Sequence, residues 1–420
     1  MRHFSKIGLV ALVSALGFLN VQPAAAEDLE IIHGSGATEP LSSVFEVVLE
    51  NYASTQGLGI EQVQNQFKKQ PEFDSLLEEI QSLEGENFAA AEYLGGDVTA
   101  RMYFIHSVSS QTKSLLGLSS LDTQVVVRGG LSNSALESAR TAINVYLASL
   151  QASFTAGFDP ISGRVEIWGF QKEQFANLLE TLQANFPDIT FNPELFSPEV
   201  EDTQALTANS GGLDIGCSAG YFGAVNSSTV GVLTAAHCQG AALYLGGLYY
   251  TATNEYLAPS SEGDIGWYRL GSMQTGVPLS RSDLSEQVIT GTTTKATITD
   301  LMSPSAATPY IGQLVCIHGV VTARACGAIS AVEYTTTYTT KLGKFTYSRM
   351  VVLNGSLTKD GDSGAAAFSE IDTTHVKAVG IVSGISLNGP ARTFLTRIGA
   401  AIYILNGSQY LGVYAVLTGS

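Results

Sequence analysis

Three side chains, far apart along the chain, have the types that an acyl-transfer centre needs. Ser363 stands in GDSGAAAF, residues 361–368, between two glycines and directly after an aspartate. His237 follows the apolar run VGVLTAA and is itself followed by Cys238, while Asp264 opens another apolar run in EGDIGWYRL. A serine hydroxyl is a weak nucleophile at neutral pH. It needs a neutral imidazole within hydrogen-bond reach, and the imidazole needs a carboxylate to fix its tautomer. Acyl transfer also needs converging N–H donors for the oxyanion, which a tight Gly-rich turn can supply. Each residue has a plainer meaning alone: a strand-end histidine is commonly structural, and G-D and GDSG are common turns. Together, in the order His, Asp, Ser with gaps of 27 and 99 residues, they point to one centre.

The elements that must position them differ between the two halves of the chain. Residues 1–26 read as a secretory leader: basic MRHFSK, apolar IGLVALVSALGFL, then small residues up to Ala26. Residues 27–207 carry 8 basic and 26 acidic side chains and no cysteine; residues 208–420 carry 11 and 12, with all four cysteines. Two units with different jobs follow, in a secreted, extracellular protein. Nothing resembles the basic face that a nucleic-acid partner requires, and no later stretch has the length of a membrane span. Export favours disulfides. Cys217, Cys238, Cys316 and Cys326 allow three pairings, and neither local pair has the CxxC spacing of a zinc site. His33, His106 and His375 lack companions at ligand spacing, so no metal or other cofactor is assigned.

In the acidic half, apolar residues at three- and four-residue spacing predict helices in PLSSVFEVVLENYAS and PEFDSLLEEIQSLEGENFAAAEYL. TARMYFIHSV and DTQVVVRGG read as strands. NSALESARTAINVYLASLQ reads as a helix capped by Asn133 or Ser134, FTAGFDPISGRVEIWGF as strand, turn and strand, QKEQFANLLETLQANFPD as a helix and ITFNP as a short strand. This half is α+β, in two small subdomains. After residue 207, short Val-, Ile-, Thr- and Tyr-rich runs between Gly, Ser and Asn turns predict an all-β antiparallel barrel or sandwich. Only TRIGAAIYILNG near the end reads as a helix.

Residues 208–420 resemble the chymotrypsin-fold serine proteases, most of all the secreted bacterial branch of α-lytic protease and the streptogrisins. The likeness is carried by SGGLDIGCSAGYFGAV, GVLTAAHC, GDIGWYRL, VCIHGVVTARACGAI, GDSG and AVGIVSGI. It implies two six-stranded antiparallel β-barrels with the catalytic residues at their junction, and disulfides Cys217–Cys238 and Cys316–Cys326. It makes His237 general base then acid, Asp264 its orienting partner and Ser363 the nucleophile, with the Gly361 and Ser363 N–H groups as oxyanion hole. It makes Ser383 the brace of the aspartate and the start of a substrate-pairing strand with Gly384 and Ile385. It also implies that 27–207 is a pro-region that assists folding and then inhibits, released by a cut at Thr207–Ala208. Partners would be peptide or protein substrates and the chain's own pro-region, and the mature form a monomer.

The match has departures. Ala365 follows GDSG where the family has glycine, Ile385 replaces a glycine, and a third disulfide is absent, with Lys359 and Asp360 in its segment. Ile317 stands where the family has an arginine that neutralises the aspartate beside the nucleophile, which leaves His318 as a candidate partner for Asp362. Val382, Ile385 and Ala366 suggest an apolar pocket for small to medium uncharged side chains. Asn226, Asn354 and Asn406 begin N-x-S/T patterns. The rival reading is an inactive protease-fold binding or adhesion module. An esterase is a weaker rival, because the GxSxG elbow and α/β alternation are missing.

Overall fold

The computed structural model of the chain describes residues 28–416 with interruptions, the longest at 193–202, 206–216, 273–286 and 400–414. Residues 1–26, expected as a leader, and Thr207–Ala208, expected as a processing site, lie outside the described residues.

The acidic half folds as two α+β lobes. The first contains β1 (Asp28–Ile32), α1 (Ser43–Gln56), α2 (Ile60–Phe67), α3 (Gln70–Glu84), β2 (Phe88–Tyr93), β3 (Ala100–Phe104), α4 (Ser110–Leu118) and β4 (Thr123–Val127). Its sheet has the order β1-β4-β3-β2. FAAAEY, expected to continue a helix, is strand β2. Gly85 ends α3 with a φ of +52°, and the alanines then pair with β3, Ala91 opposite Met102. Strand pairing overrides their helix propensity. The second lobe contains α5 (Asn133–Ser149), the hairpin β5 (Phe154–Asp159) and β6 (Arg164–Gly169), α6 (Lys172–Asn185) and β7 (Phe191–Asn192). The cap of α5 is Ser132, not Asn133 or Ser134: its hydroxyl accepts the Ala135 N–H at 3.2 Å. A short strand, β8 (Thr203–Ala205), follows.

The remaining strands are β9 (Phe222–Asn226), β10 (Thr229–Thr234), β11 (Ala242–Leu245), β12 (Leu248–Leu257), β13 (Gly266–Ser272), β14 (Gln287–Ile289), β15 (Lys295–Leu301), β16 (Leu314–Gly319), β17 (Ala323–Thr340), β18 (Gly343–Asn354), β19 (Ala366–Glu370), β20 (His375–Ser386), β21 (Arg392–Arg397) and β22 (Ala415–Val416). Six of them form one sheet, β11-β12-β13-β10-β9-β22. Six more close on themselves: β16-β17-β18-β21-β20-β19 and back to β16, the β20–β21 pairing completing the ring. Closure removes the free edges that make open sheets prone to association. This is the chymotrypsin-like all-β arrangement, with an α+β region ahead of it. Of the segment TRIGAAIYILNG, Thr396 and Arg397 finish β21 and Ile398 and Gly399 are helical, so the expected helix starts two residues late. The residues from 400 to the end of that segment lie outside those described.

The halves share a core. One apolar cluster runs from Phe67, Phe73 and Tyr93 through Tyr310 to Val315, Val351 and Ile381. The second lobe keeps a core of its own around Leu136, Ile143, Phe158 and Leu182. Polar contacts cross as well: Glu137 on α5 meets Arg349 on β18 at 3.4 Å. Burial alone would raise the Glu137 carboxyl, but Arg140 and Arg349 outweigh it and hold it below the usual carboxylate range. Among the described residues no helix is long and apolar enough to cross a membrane.

Helix α3 also places Asp74 against the barrel, where the Tyr310 hydroxyl donates to it. Burial pushes this carboxyl up to about 6, although the Tyr310 bond and the Lys377 ammonium pull it down. A carboxyl raised on docking favours the docked state at low pH. That contribution is full below its ordinary value of 3.8 and fades as pH rises through about 6. The difference corresponds to about 3 kcal/mol. The full chain carrying Ser363→Ala, which keeps the halves joined, should therefore lose Tm between pH 4 and 7. Adding Asp74→Asn should flatten that slope; an unchanged slope would count against Asp74 as its source.

Candidate active site

The histidine is fixed first. β10, an inner strand of the six-stranded sheet, ends at Thr234, and the chain turns at once, with Cys238 N–H donating to the Ala235 carbonyl at 3.0 Å. Cys238 is bridged to Cys217, and its carbonyl takes the Tyr268 hydroxyl. His237 between them has little freedom, and its side chain is 2% exposed.

Asp264 lies just ahead of β13, which pairs directly with β10, Thr234 opposite Gly266. Two neighbouring strands thus bring the residues together across 27 positions of sequence. The carboxylate is buried, with Oδ2 2.6 Å from His237 Nδ1, and Oδ1 accepts the His237 backbone N–H at 3.2 Å. This two-point grip sets the ring orientation. With the Nδ1 proton facing Asp264, Nε2 is left as the basic nitrogen.

Ser363 sits in a turn between Asp362 N–H···O=C Lys359 at 3.0 Å and Ala365 N–H···O=C Asp362 at 2.9 Å. Gly361 has φ +102° and Gly364 φ +85°, conformations that disfavour side chains. At Gly364 space forbids one too: a Cβ would overlap Thr234 Oγ1 and the Ser218 carbonyl. The turn is tied to the histidine loop. Ser218, next to Cys217, donates its N–H to the Ser363 carbonyl at 2.7 Å and its hydroxyl to the Gly361 carbonyl at 3.0 Å. Cys238 Sγ lies 3.7 Å from the same Ser363 carbonyl oxygen. The structure therefore brings His237, Asp264 and the Ser363 turn into one buried locus; of the two barrels expected, the described residues show one closed ring and one six-stranded sheet.

The brace differs from the expectation. Ser383 Oγ lies 3.0 Å from Thr396 Oγ1, and it is Thr396 Oγ1 that accepts the Asp264 backbone N–H at 3.0 Å. Ser383 supports the aspartate through Thr396. Nothing in the sequence singled out Thr396 beyond its place in an alternating strand. Gly384 and Ile385 continue β20, and Val382 ties that strand to the nucleophile turn: it accepts the Gly364 N–H at 2.8 Å and donates to Ala365 at 2.9 Å. The Ala365 methyl is fully buried in the core.

Asp362 does not depend on His318. Its carboxylate accepts the N–H groups of Val321, Thr322 and Lys359 at 2.9, 3.1 and 2.8 Å, and also the Thr322 hydroxyl. Charge-assisted donors of this kind satisfy the buried carboxylate. His318 Nδ1 has no hydrogen-bond partner. Burial and the nearby Arg324 hold its pKa below the usual value, against the pull of Asp362. Gly319 makes the arrangement possible, because a Cβ there would fall on the Asp362 carboxylate. Gly319→Ala should cost about 2 kcal/mol of stability through overpacking, read as a lower denaturant midpoint; an unchanged midpoint would refute the crowding argument.

Both disulfides are the local pairs, Cys217–Cys238 and Cys316–Cys326. Cys217, His237 and Cys238 gather their ligand-type atoms within 4.8 Å, but the two sulfurs are bonded to each other and hold no thiolate for a metal.

No family model and no curated protein matches the chain. Solved structures do. Protease A of Thermobifida fusca is 21% identical over 52% of this chain and 98% of its own, with a TM-score of 0.36. A Cellulomonas bogoriensis chymotrypsin is 22% identical over 52% of this chain and 100% of its own, at 0.35. Nocardiopsis protease is likewise 22% identical over 52% and 100%, at 0.36. By its own strand order, closed ring and paired cysteines, the second half of this chain has the chymotrypsin-like fold of the streptogrisin-type proteases that it resembles.

Proposed function

We propose that the chain is a secreted serine endopeptidase made as a zymogen. The observation that carries this reading is the buried His237 Nδ1–Asp264 Oδ2 contact of 2.6 Å beside the glycine-flanked Ser363 turn. His237 Nε2 takes the Ser363 hydroxyl proton as Oγ attacks the scissile carbonyl. The oxyanion that forms is met by the N–H groups of Gly361 and Ser363, and the imidazolium is stabilised by Asp264. The imidazolium then gives its proton to the leaving amine, and water repeats the sequence to release the acyl group. Residues 27–207 act as folding assistant and inhibitor, and the chain cuts itself at Thr207–Ala208. The shared apolar core and the Glu137–Arg349 contact support that intramolecular partnership. Val382, Ala366 and Ile385 favour small to medium apolar side chains on the acyl side.

The test is to express the whole chain and its Ser363→Ala variant, then follow processing near residue 207 and labelling by a serine-directed phosphonate. Wild type should be cut and labelled, the variant neither. Equal cutting of both with no label would favour the binding-module reading.

A further inference from the structure

Strand β8, Thr203–Ala205, is paired on both of its edges. On one side it runs antiparallel to β20, with Thr203, Gln204 and Ala205 opposite Ser386, Ile385 and Gly384. On the other it runs parallel to β17, with Thr203 opposite Tyr338 and Gln204 opposite Thr339. Each flanking strand has its other neighbour already: Ile385 pairs with Thr393 of β21, and Tyr338 with Phe345 of β18. β8 therefore fills a slot one strand wide between two sheet edges. Without it, both edges present unpaired N–H and C=O groups, which template an extended peptide.

The polarity of the slot fits acyl transfer. β8 runs from Ser386 towards Gly384, so its C-terminal end heads for Ser383 and Val382. Val382 is hydrogen-bonded to Gly364 and Ala365 of the nucleophile turn. A peptide lying as β8 lies thus approaches Ser363 with its carbonyl-bearing end leading.

Resting on the endopeptidase reading, we propose that the end of β17, at Tyr338 and Thr339, is the second wall of the substrate cleft. An extended polypeptide is then clasped between Tyr338–Thr339 and Gly384–Ser386 over the residues N-terminal to the bond cut. β8 is the chain's own first occupant. The site calls for substrates with four or five residues ahead of the scissile bond, and it disfavours proline at the positions that Thr203 and Gln204 occupy, where an amide donor is lost.

Two variants test this in the full chain. One replaces residues 337–346 by Asn-Gly, joining Thr336 to its partner Tyr347. The milder Thr339→Pro leaves the hairpin in place, should the first fail to fold. In the Ser363→Ala background, hydrogen exchange at Thr203–Ala205 should quicken at least about tenfold in either variant, the scale of one lost hydrogen bond. Unchanged exchange overturns the clasp, whatever the enzyme does. In the self-processed active enzyme, extending a peptide anilide from two to five residues should raise kcat/KM about 10- to 100-fold. Thr339→Pro should lose about tenfold of that gain. An equal gain in variant and parent overturns the substrate role of the hairpin. Quickened exchange with no phosphonate uptake or hydrolysis by the parent would instead sink the protease reading and leave a peptide-binding slot.

Discussion

The Ser363→Ala chain is expected to remain uncut at the junction after β8, take up no phosphonate, and hydrolyse peptide anilides at least about 10⁴-fold more slowly. The size of the loss follows from how the site is divided. The alanine removes the oxygen that the proposed mechanism makes the nucleophile, and leaves the glycine turn, the Ser218 bonds and the His237–Asp264 grip as they are. Stability should change little, because the backbone contacts of residue 363 survive. Any residual rate then measures the oxyanion donors and binding alone. A variant that retains more than about a hundredth of the parent activity, with host proteases controlled, would show that the reacting oxygen is elsewhere.

Asp264→Asn is expected to lower kcat/KM about 10⁴-fold near neutral pH while the fold is kept. The carboxylate accepts two donors, the His237 ring Nδ1–H and the His237 backbone N–H. An asparagine oxygen still accepts one of them, so the loop stays anchored. Its amide nitrogen can only donate, which turns the imidazole to the tautomer with its proton on Nε2, facing the nucleophile it should deprotonate. Combining Asp264→Asn with Ser363→Ala should add almost nothing to the loss from Ser363→Ala, since the two act as one unit. An additive loss, or a mild effect in the single variant, would mean that Asp264 only holds the loop in place. Thr396→Val probes the same unit from behind. It removes the acceptor of the Asp264 N–H and the partner of Ser383, and should cost a smaller factor, about tenfold.

Much of this was legible along the chain because the signals are local. GDSG requires glycines on both sides of the serine, and the positive φ at Gly361 and Gly364 gives the reason. Helices α1, α3, α5 and α6 and the β5–β6 hairpin follow periodicity and turn residues that lie within a few positions of one another. The misreadings arise where a distant partner decides. FAAAEY has helix propensity and becomes a strand because β3 lies beside it. The one-residue slip at the cap of α5 is instead a local matter, Ser132 reaching the Ala135 N–H three positions on.

The sequence by itself determined the chemistry available: one serine in a glycine turn, a histidine pinned beside a cysteine, an aspartate at a strand start, and an α+β half ahead of a β half. Tertiary structure alone decided who touches whom across long gaps. Thr396 meets Asp264 over 132 residues, Asp362 takes donors from Val321 and Thr322 of the β16–β17 turn, and β8 lies between two edges drawn from β17 and β20. The physical reason is that a hydrogen bond between distant residues depends on strand register and ring closure. Those belong to the packed chain as a whole, and many threonines share the composition of the one that is placed to act.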